Sequence, residues 1–341
     1  MRYGILEVNP AKNPAVLDTG TWDPQQARTT VEGLESTYWR RLQEASERAC
    51  PLPVVPEFTP RDASLVQHEG TMYFIATLSD RQHVLVGIGE AVGPIAADPL
   101  AHVELPNGGH VVIYPTDASV LDQFFYHIAP ELGPRPLGAE PRLGIGCRMT
   151  AAVWPGAFRA MGTCGFAANA IQNSVREVNL MADLLAGRPP DSNYAFSFGT
   201  IESGYTGSSF EGLWLSGVIA ALSYPARLRY GADADHIQVK RGLHGLARAQ
   251  EVITAARYYT FFTLDVSDIL DYQALAGGVT GPLLERKYGL AFDALEQLSD
   301  HIQSLKGDRR FDLELSIDEH PPEVETVDCL TSAEELAYVL S

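Results

Sequence analysis

The sequence predicts an α/β protein: a partial TIM-type β/α barrel preceded by a small antiparallel β-rich N-terminal region. Three observations carry this. From residue 142 onward, strand-length apolar runs alternate with helix-length amphipathic runs, the pattern of parallel strands joined by crossover helices. Three successive strand runs in that region end in ionisable residues, the placement that barrel enzymes use. Between residues 70 and 115 the runs TMYFIATL, HVLVGIGEAV, AHVEL and HVVIYPT are separated only by turn residues such as PNGG, the mark of an antiparallel sheet.

In chain order, residues 1–60 form an irregular and helical segment. It holds one helical stretch, ARTTVEGLESTYWRRLQEASERA, and a Pro-rich run, CPLPVVPEFTP. Residues 61–135 form a small α+β unit, closed by an amphipathic helix DASVLDQFFYHIAPEL with Asp117 or Ser119 as N-cap. Residues 142–341 form the barrel-like catalytic unit. LGIGCRMT is its first strand, and a helix begins near WPGAFRAM with Pro155 in its first turn. GFAANAIQ is a second strand run and SVREVNLMADLLAG a helix closed by Gly187. Helix FEGLWLSGVIAALSY, strand GADADHIQV, helix GLARAQEVITAARY, strand YTFFTLDVSD, a long helix near KYGLAFDALEQLSDHIQSLKG and strand FDLELSIDE follow. The last helix, TSAEELAYVL, starts with a capping-box pattern of Thr331 and Glu334. This unit is shorter than the roughly 250 residues of a typical closed barrel, so it reads as incomplete.

Composition narrows the function classes. The chain is 45% hydrophobic and 20% charged, ordinary for a globular protein. It has neither a bilayer-length apolar run nor a leader-like N-terminus, which predicts a cytoplasmic protein. Four scattered cysteines without a CxxC pair fit a reducing compartment and argue against a cysteine-based zinc site. The net charge of −18 repels nucleic acid and anionic membranes, so an anionic small molecule needs a local basic pocket. The glycines of GIGCRM and GSSFEG match neither dinucleotide nor P-loop spacing, and no GxSxG nucleophile elbow is present.

The chemistry therefore rests on strand ends. In FDLELSIDE, Phe311, Leu313, Leu315 and Ile317 alternate with Asp312, Glu314, Ser316 and Asp318, so period two places the polar four on one face. A doubly wound sheet buries both faces under helices, whereas a barrel turns one face to its axis. In FFTLD, Thr263 and Asp265 share the corresponding face. YGADADHI adds Asp233, Asp235 and His236, groups that are costly to bury unless paired or metal-bound. Together these are hard-metal ligand types. Asp265 reads equally as the N-cap of the next helix. Asp318, Glu319 and His320, before two prolines, also read as a solvated loop. His127, His244 and His301 read as helix-surface or satisfied core residues. Glu314, mid-strand between leucines, is the hardest to explain as structural.

RYGADADHIQV, YYTFFTLDVSDILDY and FDLELSIDE followed by TSAEELAYVL resemble the tagaturonate epimerase (tagaturonate/fructuronate epimerase) family, as do RPLGAEPRLGIGCRM and AIQNSVREVN. The resemblance runs from about residue 65 to the end, apparently lacking the family's C-terminal part. It implies a metal-dependent barrel isomerase interconverting keto-hexuronates. The inverted carbon is β to the ketone, so retro-aldol cleavage, rotation and re-addition accounts for inversion where α-proton abstraction does not. The resemblance further implies a divalent metal ion (Mn, Zn, Ni or similar) held by His236 and Glu314. Asp265 and Asp318 then act as acid/base or ligand, Asp235 orients His236, Arg176 clamps the substrate carboxylate and Arg148 adds to substrate binding. Arg148 and Arg176 read equally as surface arginines. Two departures stand out: Cys147 where the family has Asp in Gly-Asp-Arg, and Ala157 where it has His in Pro-Gly-His.

The expected partner is a small sugar acid, with no nucleic acid and no membrane, in a homo-oligomer or with a missing C-terminal segment. Two alternatives stay open: a related metal-dependent ketohexose epimerase or aldolase, and a truncated homologue without catalysis.

Overall fold

The computed structural model describes residues 2–3, 6–7, 24–79, 82–90, 93–146, 150–174, 210–275, 279–317 and 330–341. At the N-terminus β1 (Arg2–Tyr3) and β2 (Leu6–Glu7) form an antiparallel pair. The expected single helical stretch is two helices, α1 (Pro24–Glu32) and α2 (Ser36–Glu47). The break falls at Gly33, a poor helix former, after which Tyr38 N–H bonds to Glu35 O and restarts the helix. Both helices bury apolar stripes, including Val31, Trp39 and Leu42, against Phe58, Phe74 and Val86 of the following sheet.

That sheet is antiparallel, as its turn-punctuated sequence requires. Its order is β3 (Phe58–Pro60), β5 (Thr71–Leu78), β6 (His83–Gly89), β8 (His110–Pro115), β7 (Ala101–Glu104), with β4 (Val66–His68) pairing β5 off this path. Glu69 and Gly70, both with positive φ, make the two-residue turn between β4 and β5. The opposite face receives α3 (Ala118–His127), whose N-cap is Asp117, accepting from Val120 N–H at 2.8 Å. Tyr73, Leu85 and Val112 of the sheet and Phe124 and Phe125 of α3 merge into the core of the second half.

The second half is a five-stranded parallel sheet in the order β13 (Asp312–Ser316), β12 (Phe261–Asp265), β11 (Tyr230–Gln238), β10 (Ala167–Ser174), β9 (Arg142–Gly144). Every strand lies beside its sequence neighbour, without the order reversal of a doubly wound sheet. This is a run of barrel staves. Among the described residues the run does not close: β9 and β13 each pair on one side only. Leu143 and Leu313, on these edge strands, are 56% and 47% exposed.

Helices α4 (Thr150–Cys164), α5 (Phe210–Leu222), α6 (Gly245–Ala255) and α7 (Gly281–Lys306) lie along the chain between the strands, and α8 (Ala333–Val339) ends it. Three boundaries differ from expectation. The first strand ends at Gly144, and Pro155 lies well inside α4, which begins at Thr150. The last capping box uses Ser332 and Glu335, one residue later than the expected Thr331 and Glu334, because Ser332 has the extended backbone of an N-cap. The expected helix closed by Gly187 lies outside the described residues. Helix α5 is apolar on every side and presses onto β10 at Gly217, where a Cβ would come within 2.5 Å of Ile171. No described helix is long and apolar enough to cross a membrane. Cys50 and Cys164 are free and exposed.

Candidate active site

The strand register places the polar side chains. Thr263 pairs with Glu314 and Asp265 with Ser316, while Asp233 pairs with Phe261 and Gln172 with Asp233. Residues in register share a face of a parallel sheet, so Gln172, Asp233, Thr263 and Glu314 lie on one face. The neighbouring Ala232, Ala234, Phe262 and Leu264 join the apolar core beneath the helices. The polar face predicted for FDLELSIDE thus continues across three further strands.

His236 sits where β11 breaks its register. The pairing with β12 slips between Ala234 and Ile237, and His236 has φ +46°. A non-glycine residue held there costs about 1–2 kcal/mol, and such outliers concentrate at functional sites. The bulge turns the imidazole between two carboxylates: Nε2 is 3.7 Å from Asp235 Oδ1 and Nδ1 is 3.9 Å from Asp265 Oδ2. Asp265 also accepts from Ser267 N–H at 3.1 Å. The capping role and the site role of Asp265 are therefore one arrangement.

The carboxylates are driven apart electrostatically. Burial raises the Asp233 carboxyl to about 8, and the charges of Asp235 and Glu314 push the same way; Asn169 and His236 oppose them. Burial also raises Asp235, with His236 and Gln172 pulling it back. Asp265 is buried too, yet the His236 imidazole beside it and hydrogen bonds from Ser267 and Gln238 outweigh burial and hold it below the ordinary carboxylate range. An ionised Asp265 on the same face as a protonated Asp233 is the division of labour that acid–base chemistry needs.

Of the sequence-derived residues, Asp235, His236 and Asp265 come together. Glu314 lies two strands from His236 and accepts from the Thr263 hydroxyl at 2.9 Å. Arg148, Arg176 and Asp318 lie outside the described residues, as do Cys147 and His320. Thr263 lies on the face where the sequence puts it, beside Asp265, while Asn169 and Gln172 join the same face without having been singled out. Period two could not have found them, because Asn169 and Gln172 are three residues apart and share the face only through the register slip between Asn169 and Ile171. His301, read as structural, contacts the Thr254 hydroxyl at 2.9 Å on the helical side.

Asp233 Oδ1 and Asn169 Oδ1 are buried acceptors without a hydrogen-bond partner, a setting that favours a proton or a cation. Among the described residues, however, no three His, Cys, Asp or Glu side chains are grouped to hold a metal ion. His236 and Glu314 with their described neighbours therefore do not make a complete metal centre.

No protein-family model matches the chain, and no curated protein matches it. Among solved structures, the fructuronate-tagaturonate epimerase UxaE from Cohnella laeviribosi complexed with two glycerols is similar at 18% identity and a TM-score of 0.47, covering 82% of this chain and 55% of that one. Its complex with one glycerol gives 18% identity and a TM-score of 0.44, covering 81% and 55%. The chain spans little more than half the length of these proteins.

Proposed function

We propose that the chain is a cytoplasmic carbohydrate epimerase, or the part of one that carries the acid–base residues, acting on keto-hexuronates such as tagaturonate and fructuronate. The observation that carries this is the meeting of Asp235, His236 and Asp265 at the C-terminal ends of adjacent parallel strands, in the sequence blocks that resemble that family. Asp265, kept ionised, takes the proton of the substrate hydroxyl on the carbon to be inverted. The bond between that carbon and its neighbour α to the ketone breaks, and its electron pair passes into the enolate. The aldehyde fragment rotates, the enolate re-adds to its other face, and Asp265 returns the proton. His236 is held between Asp235 and Asp265 and fixes the direction of the Asp265 carboxylate. Arg176 and Arg148 supply the cationic contacts to the sugar acid, and Asp318 is a second acid–base group.

A divalent ion also belongs to this proposal, with His236 and Glu314 as two ligands. No step is assigned to it, since the described residues do not close around one point.

The test is conversion of each hexuronate in deuterated water, followed by proton NMR. Retro-aldol chemistry keeps the original hydrogen on the inverted carbon, so epimer forms without deuterium there. Deuterium at that carbon would exclude the mechanism. Turnover of neutral ketohexoses with none of either hexuronate would move the substrate class. Retention of one metal ion per chain after dialysis is the separate expectation for the ion.

A further inference from the structure

The base of the parallel sheet, opposite the strand ends that carry Asp235 and Asp265, holds a cavity of about 320 Å³. It lies where α3 meets the starts of the strands: Thr260 precedes β12, and Arg310 lies two residues before β13. Its walls combine aromatic rings with cations, in a chain whose net charge is −18.

The cations are not all neutralised. Arg309 is held by Asp122 at 2.6 Å and lies over the Tyr126 ring at 4.2 Å. Lys306 gives its ammonium to the Arg257 and Tyr259 carbonyls. The nearby acids Glu211 and Asp312 are engaged with Arg257 and Arg142. Arg135 and Arg310 also line the cavity, and among the described residues neither guanidinium has an ion-pair partner. Trp214 stands in the same wall beside Tyr258, ring centroids 5.3 Å apart, and its indole N–H is a buried donor with no acceptor. Burial of an unpaired donor is costly, so the indole N–H calls for an acceptor, which an ordered water or a ligand can supply. Burial lowers Lys306 to about 8, with Asp122 opposing and Arg309 reinforcing the shift. An anion in the cavity would return the proton to it.

We propose that this cavity binds a ring-bearing phosphate ester of the nucleoside monophosphate kind. Arg135 and Arg310 take the phosphate, and the Tyr126, Tyr258 and Trp214 wall takes the ring. The volume lies at the small end of the range for ligand pockets, which fits a monophosphate better than a dinucleotide. The site is distinct from the inner-face carboxylates and does not depend on the proposed epimerase activity. Pro136 lines it, and the adjoining Leu137 and Gly138 N–H groups bind Asp312, so an occupant would bear directly on the base of the sheet.

The test is isothermal titration of the full chain with AMP, adenosine and inorganic phosphate in turn. AMP is expected to bind saturably, and adenosine and phosphate each at least about tenfold more weakly. In buffers of different ionisation heat at pH 8, AMP binding should take up protons through Lys306. The double variant Arg135→Ala/Arg310→Ala should weaken AMP by at least about tenfold, equivalent to about 1.4 kcal/mol. If that variant fails to melt cooperatively, Arg310→Ala alone, at an exposed position, serves the same comparison. No saturable AMP binding, equal binding of AMP and inorganic phosphate, or unchanged AMP affinity in the variants would each overturn the proposal.

Discussion

Arg142 and Asp312, on the two opposite edge strands of the five-stranded sheet, form an ion pair at 2.6 Å. In a flat sheet four interstrand spacings would separate those strands by about 19 Å. The pair therefore requires the sheet to curl until its first and fifth strands face each other across the base. Asp312 also accepts from the backbone N–H groups of Leu137 and Gly138, and the Arg142 guanidinium lies 5.1 Å from the centre of the Phe261 ring.

Asp312→Asn should accordingly destabilise the chain by about 2–4 kcal/mol, since it leaves a largely buried guanidinium without its partner. Urea unfolding checks this. An Arg142→Met/Asp312→Leu double variant should recover part of the loss, because it removes both charges together. A single variant no less stable than the native chain would mean that the ends are held by other contacts.

Asp233 gives a pH dependence of definite sign. Its folded pKa of about 8 stands above the ordinary value of 3.8, so between these the folded chain binds the extra proton. Its contribution to stability is present at low pH and is lost as pH rises from about 4 to about 8. Asp233→Asn, which mimics the protonated acid, should raise the melting temperature at pH 8–9 and change it little near pH 4. Each kcal/mol relieved corresponds to roughly 2–4 °C for a domain of this size.

His236 separates backbone from chemistry. Asn tolerates positive φ, so His236→Asn should stay within about 1 kcal/mol of native stability. His236→Val forces a β-branched side chain into the same conformation and should cost about 1–3 kcal/mol. Both should lower epimerase turnover by about 10–100-fold, the cost of losing a side chain that orients a reacting group. Thermal melts alongside the NMR assay separate the two effects.

Lys287 and Glu335 are both almost wholly buried and are joined by an ion pair, with the Tyr288 hydroxyl donating to the same carboxylate at 2.9 Å. This pair ties α8 to α7. Burial alone would raise the Glu335 carboxyl, but the hydrogen bonds from Lys287, Ser332 and Tyr288 hold it below its ordinary range. Its stabilising contribution is therefore present above the unfolded value and fades as pH falls through the folded one. Lys287→Met should cost about 3–5 kcal/mol at neutral pH by leaving a buried carboxylate unpaired, and less in acid, where that carboxylate is protonated.

Much of the architecture could be read from periodicity. Alternation in FDLELSIDE and FFTLD placed Glu314 and Asp265 on the polar face, and the βα alternation gave the parallel strands. The split at Gly33 was obscured because the apolar stripe continues in phase across it. The bulge at His236 was not legible, since a register slip depends on the neighbouring strand as well as on local sequence. For the same reason Asp312 gave no sign of its partner, which lies 170 residues away in the chain. The meeting of Asp235, His236 and Asp265 was legible because parallel strands gather their C-terminal ends whatever the loops do.

The neighbour-to-neighbour order of the five strands also sets the kinetics of the fold. Each pairing joins segments consecutive in the chain, so the sheet can grow one strand at a time outward from β10 and β11. Amide hydrogen exchange should follow that gradient, slowest in the central strand and fastest in the three-residue β9 and in β13. The Arg142–Asp312 clasp forms only once both of these last strands are in place. It is a late, long-range contact, so weakening it should accelerate unfolding and leave the rate of folding nearly unchanged.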